Sequence, residues 1–217
     1  MATEAMMSGF TIRSVCATAQ WLTKHVGLMK GVECYEVSEA ELERLSNFKH
    51  PNQVWMLVER RDLSTLATRQ ASLILALDRM QDPGNMGTLL RTADWFGIRH
   101  VVCTADTAGC YNPKVVQASM GAVFRTYVEY TDLPRWLATC GMPVYGATLQ
   151  GHPLTEIENP RTTAVLLVGN ESRGISPEAM AFVTHPILIP NLGGTAESLN
   201  AGVAAGILMN WMSTERL

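Results

Sequence analysis

From Leu73 onward, short runs of apolar and β-branched residues alternate with longer stretches whose apolar residues recur every three or four positions, and this rhythm restricts the fold more than any other feature. Leu73–Leu77, His100–Cys103, Arg125–Tyr130, Pro143–Ala147, Ala164–Val168 and Ile187–Ile189 read as strands. Met86–Phe96, Pro113–Met120, Leu133–Thr139, Pro177–Val183 and Ser198–Ser213 read as helices, with Pro113 and Pro177 where a first helical turn tolerates proline. Strand and helix in alternation predict an α/β fold, a mostly parallel sheet with helices on both faces. The first 70 residues lack that rhythm. They offer a helix over Ala17–His25, a second over Ser38–Ser46 opened by a Ser38/Glu41 capping box, and a strand over Val54–Val58, too few elements to bury a core comfortably alone. With the polar stretch Glu59–Ser72 as linker, the expected division is a small α/β part over 1–70 and a larger one over 71–217.

Composition narrows the class. A 47% hydrophobic share with 17% charged residues describes a compact globular protein, apolar enough to accommodate a buried oligomer interface. No run reaches the roughly 18 to 20 apolar residues that span a bilayer, Asn210 interrupting the most apolar stretch. The start, Met-Ala-Thr-Glu-Ala, has an acidic residue and no basic region ahead of an apolar core, so the expectation is a cytoplasmic chain with no membrane partner. Cys16, Cys34, Cys103, Cys110 and Cys140 are scattered, without CxxC or histidines at ligand spacing, and read as buried free thiols rather than metal ligands.

In an open parallel sheet, ligands sit at the carboxyl ends of strands, and three loops leaving such ends are unusual. In Asp78–Gly87, Pro83 and Gly84 make a turn, Asn85 can cap the next helix, and Arg91 can lean back toward its start as an anion site; the plainer reading is a turn, a cap and a surface arginine. The second loop leaves Leu167 and Val168 as Gly169-Asn170-Glu171-Ser172-Arg173-Gly174. Its glycines permit close backbone approach and Glu171 is an acid at a strand mouth, although a polar turn capped through Ser176 explains it as well. The third runs from Ile189-Pro190 to Ser198-Leu199-Asn200 and opens a helix in which Gly202, Ala205 and Gly206 admit another backbone or a flat ligand. Capping accounts for Ser198, but not for Glu197, Ser198 and Asn200 crowding one helix mouth.

Asn85 with Arg91, Gly169–Gly174, and Ile189-Pro190 followed by Ser198-Leu199-Asn200 resemble, in order and spacing, the three signature motifs of SpoU-class RNA 2′-O-ribose methyltransferases of the SPOUT superfamily, over residues 73–213. The resemblance implies a deep C-terminal trefoil knot, which general connection rules would exclude. It also implies S-adenosyl-L-methionine as cofactor (S-adenosyl-L-homocysteine as product), ribosomal or transfer RNA as substrate, and a homodimer completing the site. Residues 8–58 look like the latter part of a small ribosomal-protein-like domain that recruits RNA, with its usual start missing. The interval Asn191–Glu197 is one residue longer than the family pattern.

By this resemblance Arg91, Asn85, Glu171, Ser198 and Asn200 are the catalytic set, and Leu167, Val168, Gly169, Asn170, Glu171, Gly174, Ile189, Pro190, Ser198 and Leu199 hold the cofactor. A guanidinium with pKa above about 12 accepts protons poorly, so Arg91 is expected to hold RNA phosphate and stabilise charge developing on the ribose oxygen. The proton then goes to a phosphate oxygen, Glu171 or water. No metal is required. The formal charge of −3 runs against an RNA partner unless Arg60, Arg61, Arg69, Arg91, Arg99, Lys114 and Arg125 gather on one face. Two other functions fit the residues less well. A ribosome-assembly factor without turnover would not need all five catalytic residues, and a nucleotide-dependent oxidoreductase would need the GxGxxG absent here.

Overall fold

The computed structural model describes residues 1–46, 52–61, 72–157 and 163–213. The chain divides into two compact units, Met1–Asp62 and Leu63–Leu217. Much of the expected linker, residues 62–71, lies outside the described residues.

The first unit contains α1 (Ala2–Met7), β1 (Ile12–Ala17), α2 (Ala19–His25), β2 (Glu33–Glu36), α3 (Glu39–Leu45) and β3 (Val54–Val58). Its sheet has the order β2-β1-β3, with β1 parallel to β2 and antiparallel to β3. Val15, Ala17 and Trp21 form a small core with Ile12, Val54 and Met56 around it. The Ser38 capping box is present: its hydroxyl accepts from the Glu41 amide and its own amide donates to the Glu41 carboxylate at 2.8 Å. Three elements escaped the periodicity: α1, β1 and β2. β2 is exposed at all four residues, so hydrogen bonding to β1 makes it a strand and no burial pattern marks it in the sequence.

The second unit has six strands, β4 (Leu73–Leu77), β5 (His100–Thr104), β6 (Tyr127–Thr131), β7 (Val144–Pro153), β8 (Ala164–Val168) and β9 (His185–Leu188). Its helices are α4 (Pro83–Trp95), α5 (Pro113–Ser119), α6 (Leu133–Thr139), α7 (Pro177–Met180) and α8 (Ala201–Ser213). The strand order is β6-β5-β4-β8-β7-β9 and every pairing is parallel. Side chains alternate between two cores. Leu73, Leu75 and Leu77 of β4, with Leu166 and Val168 of β8, pack with Leu89 of α4, Val115 of α5 and Leu208 of α8. Ile74, Ala76, Val165 and Leu167 pack on the other face with Leu137 of α6 and Ala179 of α7. Both faces being covered, the central strands are apolar at every position.

Two helix starts differ from the sequence reading, with consequences for the site. α4 begins at Pro83, three residues earlier than expected, because Asp82 is the cap and its carboxylate accepts the Asn85 amide at 2.7 Å. Asn85 is therefore inside the first turn, its side chain not needed for capping. α8 begins at Ala201, three residues later than expected. Asn200, not Ser198, accepts the Gly202 and Val203 amides at 2.9 and 3.3 Å. The two helices touch through small residues. A Cβ on Gly202 would lie 3.4 Å from Thr88 Cγ2, and one on Gly206 3.7 Å from Thr92 Cγ2. What these glycines face is therefore the threonine side chains of α4.

Candidate active site

β4 and β8 are adjacent, so the loops leaving their carboxyl ends are neighbours, and the contact of α8 with α4 brings the end of the third loop to the same place. A directed chain of hydrogen bonds joins all three. The Asn200 amide group donates to Asn85 Oδ1 at 2.9 Å, and Asn85 Nδ2 donates to Glu171 Oε1 at 2.7 Å. Its polarity is determined by backbone. Asn200 Oδ1 must face the α8 amides it accepts from, so its Nδ2 points to Asn85, whose own oxygen must accept and whose nitrogen must then face Glu171. The partial positive charge of a helix start is thus carried through two amides to a carboxylate.

The loop after β8 folds back on itself. Asn170 and Gly174 exchange two backbone hydrogen bonds, 3.0 and 2.8 Å, while Asn170 Oδ1 accepts from the amides of Ser172 and Arg173. Gly174 has φ +66°, and a Cβ on Gly169 would lie 2.2 Å from the Gly174 carbonyl carbon. Both glycines are therefore demanded by the loop's own turn, a reason the sequence reading did not supply. Leu167 and Val168 bury their side chains in the two cores, and the Val168 carbonyl accepts the Asp78 amide at 2.9 Å. These contacts anchor the start of the Gly169–Gly174 loop. Glu171, Ser172, Arg173 and Gly174 are exposed between these supports.

Residues 191–200 are exposed throughout, whereas Ile189 and Pro190 are half-buried. One side chain shapes this loop: Asn191 accepts from the amides of Gly193 and Gly194 and donates to the carbonyls of Gly194 and Ala196. Ser198 and Leu199 are brought to the site's edge but make no bond to the Asn85–Glu171 pair. Arg91 is also outside the chain of bonds. It lies on an exposed flank of α4 in a three- and four-residue series with Thr88 and Trp95, Trp95 being 84% exposed.

The expected basic face is reduced. Arg61 donates to the Gly9 carbonyl and lies over the Phe10 ring, and Arg125 pairs with Asp94 at 2.8 Å. Arg69 is outside the described residues; in the second unit Arg91, Arg99 and Lys114 are exposed, as is the paired Arg125. Cys103 and Cys110 are buried thiols as expected, but Cys34 is exposed. An open groove in the first unit is lined by Leu22, Thr23, Val26, Met29, Lys30 and Cys34. Sequence reading missed the loop within β7, where the pairing with β9 shifts register between Ala147 and His152 and puts Thr148–Gly151 at the same carboxyl edge. The signal was Gly151, whose Cβ would lie 2.6 Å from the Ile187 backbone.

A parallel sheet with its polar chemistry gathered on loops at the carboxyl edge defines a ligand-binding α/β protein of the open-sheet class. The model of the SpoU rRNA Methylase family matches residues 72–210, and the chain belongs to that family. It is 37% identical over 186 residues to the 23S rRNA (guanosine(2553)-2′-O)-methyltransferase RlmP of Bacillus subtilis (strain 168), covering 84% of this chain and 73% of that protein. Similarity to the 23S rRNA (guanosine-2′-O-)-methyltransferase RlmB of Coxiella burnetii is 32% identity over 200 residues, 86% of this chain and 78% of the other. Among solved structures, the AdoMet-bound rRNA methyltransferase from Sinorhizobium meliloti superposes with a TM-score of 0.87 at 27% identity, covering 99% of this chain and 84% of that one.

Proposed function

We propose that the protein transfers a methyl group from S-adenosyl-L-methionine to a ribose 2′-hydroxyl of ribosomal or transfer RNA. The observation that carries this reading is the hydrogen-bond chain Asn200–Asn85–Glu171, which unites three family motifs as much as 115 residues apart. The residues fit the cofactor. The exposed Glu171 carboxylate would face the cofactor's positive charge, and the exposed span after Gly169 and the loop after Ile189 would offer it backbone groups. When bound, the cofactor supplies a methyl on a sulfonium, activated toward an oxygen nucleophile.

The chain's own residues do the rest. Asn85 and Asn200 hold Glu171 at one orientation, leaving Oε2 free of the Asn85 bond to face ligand. Gly169, Asn170, Gly174, Ile189, Pro190 and Leu199 frame the cofactor, and Ser198 orients the ribose. Arg91 holds RNA phosphate and stabilises negative charge growing on the 2′-oxygen, whose proton passes to phosphate, Glu171 or water.

The reading includes a homodimer. Trp95, Val203 and Ile207 are exposed apolar residues on α4 and α8, the two helices at whose exposed flank Arg91 lies, and a second copy seated there would receive that arginine. Phe96, which follows α4, and Trp211 of α8 are partly buried and pack against their own core. We also assign residues 1–70 to RNA recruitment and 71–217 to catalysis, with the C-terminus threaded through a trefoil crossing. Support for the threading is that β8 inserts between β4 and β7 while α8 returns to pack beside it on α4. The cytoplasm is the compartment of this reading; among the described residues, no helix is long and apolar enough to cross a membrane.

Incubation with ribosomal and transfer RNA and methyl-labelled S-adenosylmethionine tests the activity. Label is expected in alkali-resistant dinucleotides, because a 2′-O-methyl blocks attack on the adjacent phosphate. RNA binding without label incorporation would identify a non-catalytic RNA-binding protein instead.

A further inference from the structure

Asp78 and Arg79, the two residues that come directly after β4, have no role so far beyond the turn, yet they grip the Glu171 loop at both ends. Asp78 is 1% exposed, and its Oδ2 accepts the backbone amide of Ser176 at 2.6 Å, across 98 residues of sequence. The Arg79 carbonyl accepts Asn170 Nδ2 at 2.9 Å. The exposed residues Glu171–Gly174 are therefore suspended between two consecutive residues of another loop. Arg79 is held in turn: its amide donates to Thr104 Oγ1 at 2.8 Å, and its Nε lies 3.3 Å from Asp78 Oδ1. Its φ of +58° is left-handed, a conformation that a residue with a Cβ keeps only where its surroundings enforce it. Further along the same loop, Asp82 caps α4 and sets the position of Asn85. Both partners of the Asn85–Glu171 bond thus take their positions from one short segment.

We propose that Asp78, with Arg79 as its counter-ion and backbone partner, is a positioning residue that keeps the Gly169–Ser176 loop in the arrangement competent to bind cofactor. This rests on the methyltransferase reading above. If the grip is loosened, the loop occupies that arrangement for only a fraction of the time, and apparent affinity falls by the same fraction, while cofactor at saturation restores the loop. The defect belongs in the KM for cofactor and not in kcat. A general loss of structure would do the reverse, reducing the active fraction and leaving KM alone.

The test compares wild type, Asp78→Asn and Asp78→Ala by calorimetric titration with S-adenosylhomocysteine, steady-state kinetics at varied S-adenosylmethionine, and thermal melting. Asparagine keeps the volume and one oxygen for the Ser176 amide but removes the charge that pairs with Arg79. The expected result for Asp78→Asn is a Kd and KM raised about ten-fold with kcat within about three-fold, the effect growing in Asp78→Ala if that variant folds. Wild-type binding matched by Asp78→Asn would overturn this inference alone, as would a lower kcat at unchanged KM. Failure of the wild type to bind S-adenosylhomocysteine would overturn the methyltransferase reading and this inference with it.

Discussion

Asn200 serves as helix cap and as donor to Asn85, and the two duties can be separated. Asp in its place keeps the oxygen that accepts the α8 amides but loses the amide that Asn85 receives, and faces Asn85 Oδ1 with a second acceptor. Asn200→Asp should therefore melt within a few degrees of wild type, since the cap survives, while losing on the order of ten-fold or more in kcat, the energetic equivalent of one hydrogen bond. Equal activity in melting-matched samples would remove the relay from the mechanism. Arg91 makes a different prediction because it is exposed and outside that relay. Arg91→Ala should abolish methylation and leave S-adenosylhomocysteine affinity within a few-fold; lost affinity would give Arg91 a structural role. At this scale the sequence exposed the residue types and concealed their duties. Asn85 reads as a cap, but Asp82 caps, and that displacement is what leaves the Asn85 side chain available for Glu171.

Elements were legible where apolar runs are long. β4 and β8 match the sequence reading residue for residue, because a strand buried on both faces has no polar position to blur its ends. β6 starts two residues later than expected and β7 runs six residues further, since exposed strand ends are decided by ladder bonds and not by side-chain polarity. The amino end of β5 carries a measurable consequence. His100 pairs with Tyr127 of β6, lies against the Trp136 ring of α6, and has its Nε2 3.2 Å from Glu129. Burial pushes the imidazole below its ordinary 6.5, partly opposed by the Glu129 carboxylate. Below pH 6.5 the unfolded chain takes up this proton more readily than the folded one, so the contribution to stability is complete above that pH and is lost as pH falls toward the depressed value. The melting temperature should drop as pH is lowered from neutrality through 6.5, and His100→Phe should flatten part of that drop; an unchanged slope would assign it to other groups.

For the whole molecule, the exposed flank of α4 and α8 is the feature that a single chain leaves unexplained. If two copies share it and Arg91 serves the partner's pocket, Arg91→Ala is inactive alone and Glu171→Ala is weakened. Mixed and allowed to exchange subunits, they should recover roughly a quarter of wild-type activity, because half the dimers are mixed and each contains one intact site. No recovery after demonstrated exchange would place Arg91 in its own subunit's site. In the same molecules Ile207→Asp should yield monomers by sedimentation at micromolar concentration, since a charge on the exposed apolar face opposes its burial.

The sequence by itself determined the α/β class, the central strands and the three unusual loops at strand ends, because local periodicity and short motifs are properties of neighbouring residues. It did not determine how those stretches bond. Asn200, Asn85 and Glu171 form one relay, and Asp78 reaches Ser176, only because β8 enters the sheet beside β4 and α8 folds back onto α4. Contacts across about a hundred residues depend on which strand inserts where, and that order comes from the burial of both sheet faces together, a condition no local window of sequence contains.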